Sequence, residues 1–307
     1  MANTRELRRR IKSVKNTSQI TKAMQMVAAA KMRKAQNQAL GSRPYSETLN
    51  NALSRLTPGM DPEAHPLLRI GSGTVTGVLL LTTDKGLCGA LNTNIFRALS
   101  SLRRQGSNNP SSDSELDSRL RGNDTVFYSV GKKGRNFAVK TGKKLEADFE
   151  NPEVVIFRQA KQISKMLIAS FLSGELKEVY VVYPHFVSTL RQEARVVRLL
   201  PIDYTPGVLS ESKSGLYPGG GTDDFLFEPS SDILLDFALT HHIETQIYQA
   251  LLETKASEHS ARMMAMQNAT DNAKELVEDL TLTYNQTRQS AITNELLEIT
   301  TAQLALE

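Results

Sequence analysis

Leu7, Ile11, Val14, Ser18, Thr21, Gln25, Ala28, Met32, Ala35 and Ala39 recur at alternating spacings of four and three. That period is the seam of a helix packed lengthwise on another helix. The centre of the seam is small or polar, and Leu49, Leu53 and Leu56 resume it beyond a break expected at Gly41 to Pro44. The C-terminal stretch repeats the design. It is strong at Ile243, Ile247 and Leu251, thin through Ala261, Ala265, Asn268, Ala269 and Asn272, and mixed at Leu276, Leu280, Thr283, Thr287 and Leu297. Two weak seams suit each other. Ile20, Met24, Val27, Met263, Met264 and Met266 fall outside them, so apolar residues face more than one way and imply a sleeve of other protein around the pair.

Glycine and proline, the strongest helix breakers, are segregated. None precedes Gly41 and none follows Pro229, which leaves about 40 residues at one end and about 78 at the other free to run as single helices. At about 1.5 Å per residue the second would reach roughly 115 Å and needs a partner.

Between them the period changes to that of strands. Val75 to Thr82 reads as a buried strand, followed by the turn Asp84-Lys-Gly-Leu-Cys-Gly and a helix from near Leu91. Thr125 to Val130 and Leu176 to Tyr183 are further strands, with a short helix after Gly131 and a longer one over Pro152 to Leu172. Ala194 to Leu200 and Phe225 to Glu228 read as edge strands. The predicted fold is α/β: a long antiparallel coiled coil of the terminal helices plus a central Rossmann-like, mainly parallel sheet domain. The expected organisation is a coiled-coil helix over 1–57, an α/β domain over 70–228 with a flexible polar insertion at 105–124, and a second coiled-coil helix over 230–307.

Charge supports pairing of the ends. Residues 1–43 hold eleven Lys or Arg and one Glu, whereas residues 230–307 hold four basic and twelve acidic side chains. The overall balance is only +4, so little one-sided field is left for a nucleic acid. A basic coiled-coil nucleic-acid-binding or scaffold protein is the alternative reading. A chain with 40% apolar residues supports a sizeable core. Its longest uninterrupted aliphatic stretch, Val78 to Leu81, is far short of the roughly 20 residues that cross a bilayer.

Candidate chemistry is sparse. One cysteine, Cys88, and five histidines give no metal-ligand spacing, so no metal is expected. His241 and His242 are adjacent, about 100° apart on a helix, and cannot chelate; a surface or coil position is expected. Gly86 and Gly89 are three apart and no G-K-[ST] follows, which fails both phosphate-loop patterns. Neither a cofactor nor a catalytic residue is expected.

Four separated motifs carry a family likeness. Ile20-Thr-Lys-Ala-Met-Gln-Met-Val-Ala-Ala-Ala-Lys-Met-Arg-Lys-Ala, the turn Thr83-Asp-Lys-Gly-Leu-Cys-Gly-Ala-Leu-Asn, Ala256-Ser-Glu-His-Ser-Ala-Arg-Met-Met-Ala-Met-Gln-Asn-Ala-Thr-Asp-Asn-Ala, and Arg288-Gln-Ser-Ala-Ile-Thr-Asn-Glu-Leu resemble the gamma subunits of bacterial F-type ATP synthases. Gly89-Ala90 stands where that family more usually has Gly-Gly. The resemblance implies a non-catalytic rotor, one copy per complex, peripheral on the cytoplasmic side of the bacterial inner membrane and touching the membrane only through a c-ring. Its implied partners are the alpha and beta subunits of a catalytic hexamer, epsilon and the c-ring. By motif position, Arg262, Gln289, Thr293 and Glu295 resemble residues touching the catch loops of beta. Met24, Lys31, Arg33, Lys34 and Cys88 resemble the region facing beta's acidic loop, and Phe225 and Phe227 the part meeting the c-ring and epsilon.

Overall fold

The computed structural model describes residues 4–56, 65–101, 125–202 and 231–304. In chain order the elements are α1 (Thr4–Leu56), β1 (Val75–Leu81), α2 (Leu91–Ser101), β2 (Thr125–Val130), α3 (Lys132–Lys140), β3 (Lys144–Phe149), α4 (Phe157–Leu172), β4 (Leu176–Phe186), β5 (Gln192–Leu200) and α5 (Ser231–Leu304). They form two compact units, Met1–Lys31 with Arg262–Glu307, and Met32–Ala261.

In the first unit the start of α1 and the end of α5 run antiparallel. Arg8 reaches Tyr284 at 3.3 Å, Thr21 bonds Thr270 at 2.7 Å, and Gln25 donates to Gln267, so one number falls as the other rises. On α1 the expected positions Leu7, Ile11, Val14, Ser18, Thr21, Gln25 and Ala28 are all buried or half-buried, joined by Met24, Ala29 and Lys31. On α5 the register differs from the expectation. Met266, Thr270 and Ala273 are buried and Val277, Leu280, Tyr284 and Thr287 half-buried, whereas Asn268, Asn272, Leu276, Thr283 and Leu297 are exposed. The observed steps of four and three are those of a regular seam. With so few large apolar residues on α5, side-chain size did not single out the stripe; the partner helix selects it.

The second unit holds the sheet, ordered β3-β2-β1-β4-β5. The β1–β2, β2–β3 and β1–β4 pairs are parallel and β4–β5 is antiparallel. Both faces are covered, which is why β1 and β2 are buried without alternation. On one face Leu79, Leu81, Tyr128 and Val181 share a core with Ile163 and Leu167 of α4 and with Leu239, Ile243, Ile247 and Leu251 of α5. On the other, Val78, Leu80, Phe127 and Val182 pack with Ile95 of α2 and Ala138 of α3. Each large apolar side chain buried this way contributes about 1.5–3 kcal/mol.

Three local expectations change. The break at Gly41 to Pro44 is absent: α1 continues through both residues. An interior proline costs about 3 kcal/mol, and here tertiary bonds from Ser42 to Gln249, Arg43 to Glu253 and Tyr45 to His241 hold the helix on α5 through that point. β3 was missed although Leu145, Ala147 and Phe149 alternate with Lys144, Glu146 and Asp148. The α4 helix begins at Phe157 rather than Pro152, because Ile156 is extended. The expected strand Phe225 to Glu228 lies outside the described residues.

Candidate functional site

Three sets of residues are candidates: the turn after β1, the basic stretch of α1, and α5 from Arg262 onward. The turn closes on itself. Asn92 of α2 accepts the Thr83 N–H at 3.3 Å and donates to the Thr83 hydroxyl at 2.8 Å and to Cys88 Sγ at 3.4 Å. Cys88 is 3% exposed, so its side chain is sealed within this knot and does not face outward as a partner contact. Lys85 and Leu87 form the outer surface, and Leu87 takes a left-handed φ of 63° to do so.

The turn stands at the carboxyl end of β1, where open α/β sheets bind nucleotides with helix N-terminal amides. Here those amides are engaged. At the start of α3, Lys132 N donates to Asp84 Oδ1 at 2.9 Å, Lys133 N to Thr83 O at 3.2 Å and Gly134 N to Thr82 Oγ1 at 2.8 Å. Gly131, at φ 97°, lets α3 approach; a Cβ there would stand 2.4 Å from Thr82 O. The first amides of α3 are thus satisfied by internal acceptors, one of them a carboxylate from the turn after β1.

Of the basic stretch, Met24 and Lys31 are half-buried in the first unit, and Arg33 and Lys34 are exposed in the second. Of the apolar residues set outside the expected seams, Ile20 and Val27 are exposed, at 60% and 55%, Met24, Met263 and Met264 are half-buried, and Met266 belongs to the seam.

Near the middle of α5 Arg262 is half-buried, while toward its end Gln289, Thr293 and Glu295 are exposed, as is every residue described over 288–302. Gln289 and Thr293 stand one turn apart and share a stripe; Glu295 lies about 120° round from Gln289. Ile292, Leu296, Leu297 and Ile299, between 46% and 62% exposed, are interleaved with them. Such a helix presents polar and apolar groups around more than half its circumference, which fits a surrounding partner rather than one flat surface. Phe225 and Phe227 lie outside the described residues.

The buried polar groups of α5 were not anticipated. His242 is 3% exposed, not a surface residue, and accepts a hydrogen bond from Gln246 at 2.8 Å. Burial, with a smaller push from His241, lowers its pKa to about 4, so it is neutral. His241 is half-buried among Tyr45, Phe157 and Phe237. Glu253 contacts His185 Nδ1 of β4 and, at 3.4 Å, Arg43 of α1. Burial alone would raise its pKa, but hydrogen bonds from His185 and Gln249 and the charges of His185 and Arg43 hold it below its ordinary value. No local motif marks Glu253, because its partners come from three elements. Among the described residues no group of three His, Cys, Asp or Glu side chains could hold a metal ion, and no helix is long and apolar enough to cross a membrane.

Comparison with known proteins extends over the whole chain. A family model described as ATP synthase matches residues 3–306. An ATP synthase gamma chain of Methylacidiphilum infernorum is 44% identical, with all of both chains covered, and one of Herpetosiphon aurantiacus is 43% identical over all of this chain and 99% of its own. In fold, a chain of the Euglena gracilis mitochondrial ATP synthase, solved as OSCP/F1/c-ring in rotational state 3, has a TM-score of 0.68 at 23% identity, covering 99% of this chain and 94% of that one. A second, from the rotor of the same enzyme in rotational state 1, has a TM-score of 0.63 at 22% identity, covering 94% and 98%. Long terminal helices around a mainly parallel sheet, matched end to end in sequence, show that this chain belongs to the family of ATP synthase gamma chains.

Proposed function

We propose that the chain is the central shaft of a rotary F-type ATP synthase, coupling ion-driven rotation of a c-ring to conformational cycling of an alpha/beta hexamer. The observation that carries this is the end of α5, an exposed helix with Ile292, Leu296 and Ile299 set among Gln289, Thr293 and Glu295. A lone helix of that composition is stable only within a partner that surrounds it. Its family and the naming of a structural neighbour as a rotor support the same reading.

On this reading the chain contributes no catalytic residue, cofactor or metal. It is present once per complex, meets the membrane through the c-ring on the cytoplasmic side, and binds epsilon near the same end. Arg262, Gln289, Thr293 and Glu295 face the catch loops of beta. Met24, Lys31, Arg33 and Lys34 face its acidic loop, with Lys85 and Leu87 as the outward part of the turn that holds Cys88, and Phe225 and Phe227 meet the c-ring and epsilon. The family relationship favours this over the nucleic-acid-binding alternative. Purifying the tagged chain from membranes tests it: alpha, beta, epsilon and the c-ring should come with it in one assembly that hydrolyses ATP, and a bead on the c-ring should then rotate. A chain recovered alone, or with nucleic acid, would refute the reading.

A further inference from the structure

Residues 250–260 of α5 are buried on every side, although a helix in a two-layer packing ordinarily keeps one face in solvent. The groups that meet this stretch are polar and directional. Ser257 donates to Pro184 O at 2.9 Å and Ser260 to Thr189 O at 2.7 Å, both in or just after β4. Lys255 donates at 3.3 Å both to Asn151 O and to Glu258. At the centre Glu253, its side chain 5% exposed, receives Arg43 from α1 at 3.4 Å, Gln249 from its own helix at 3.1 Å and His185 from β4. Arg43 also donates to Phe186 O at 3.4 Å, closing the ring between α1 and β4.

Apolar side chains in a sleeve attract without regard to angle, so a helix gripped only by them can slip by one ridge and repack. A buried carboxylate has no such freedom: turning α5 would take Glu253, its side chain 5% exposed, away from Arg43 and His185 and leave it without these partners. Buried ionic groups are weak sources of stability but can specify register.

We propose that Glu253 is a positioning residue that fixes the rotational register of α5 against α1 and the sheet, forming the torque-bearing joint of the molecule. The inference rests on the rotor reading. There, force enters near Phe225 and Phe227, just before α5, and is delivered beyond Arg262, so it passes through residues 249–260. Glu253 binds α5 to α1 and β4 within that stretch, and the load is shared by three elements instead of twisting one.

The test uses the assembled complex carrying Glu253→Leu, in which packing volume is kept and the directional bonds are lost. A merely structural residue would alter the yield or melting temperature of the complex and leave coupling per assembled complex untouched. The expected result is an ATP-driven ion-pumping rate per ATP hydrolysed at least twofold below wild type, with dwell angles of a bead on the c-ring more widely spread. Glu253→Gln, which keeps part of the hydrogen bonding, should fall between. If the leucine variant does not assemble, Arg43→Met and His185→Phe, each removing one partner, should show the same loss. Wild-type coupling and wild-type angular width in the variants that assemble would overturn the inference. Failure of the rotor reading would look different, as a wild-type chain that joins no hexamer.

Discussion

The carboxylate of Asp84 accepts the backbone N–H of Lys132 at 2.9 Å, at the first residue of α3 and beside the carboxyl end of β1. A side chain from the turn after β1 thus satisfies an amide at the N-terminus of α3, a place that favours anions. The charge also complements the positive end of the helix dipole.

Asp84→Ala should therefore cost about 1 kcal/mol of stability, the usual value of a lost helix cap. It should also free an amide for an external anion. Sulfate is expected to raise the melting temperature of the variant more than that of the wild-type chain, and equal responses would show that the freed amide offers no anion site.

Acid should loosen the sheet unit through His242. Its folded-state pKa is lowered to about 4 from 6.5, so as pH falls the unfolded chain takes up the proton first. The neutral imidazole's stabilisation is complete above about pH 6.5 and is lost between there and about pH 4, with at most about 3 kcal/mol at stake. Glu253 acts in the same direction, since a carboxyl held below its ordinary value contributes stability that disappears as pH falls through the folded-state value. His242→Gln should flatten the dependence of the melting temperature on pH in that window; an unchanged slope would remove His242 from the account.

Replacing Ile292, Leu296 and Ile299 together by Ser should leave the melting temperature of the isolated chain almost untouched, within about 0.5 kcal/mol, because all three are exposed. Binding to an alpha/beta hexamer should weaken at least tenfold, as apolar groups that a partner would bury are lost. Native-gel titration of the hexamer measures this. Equal affinity would place the partner surface elsewhere on the shaft.

Lys31, Arg33 and Lys34 should act as a group. Each solvated contact with an acidic loop is worth about 1 kcal/mol or less, so neutralising one should scarcely change assembly. Reversing all three to Glu replaces attraction with repulsion and should reduce ion pumping per ATP at low salt, with recovery as ionic strength rises. Wild-type pumping by the triple variant at low salt would show that this basic face has no acidic partner.

The sequence by itself determined the long terminal helices, the strands β1, β2, β4 and β5, and the seam of α1. Each is a local signal: the absence of Gly and Pro at the ends, the apolar run from Val75, the four-three spacing from Leu7. Four motifs also carried the family. Tertiary structure decided what depends on residues far apart in the chain. It carried α1 through Pro44, because the compensating bonds come from α5 more than 190 positions away. It chose the stripe of α5 that packs, because Ala, Thr and Asn differ too little in size to declare one. It sealed Cys88 into a hydrogen-bonded turn with Asn92 and brought Asp84 onto the first amide of α3. Above all it assembled Arg43, His185 and Glu253, three residues unremarkable in sequence, whose meaning arises only where two helices and a strand close around a single buried carboxylate.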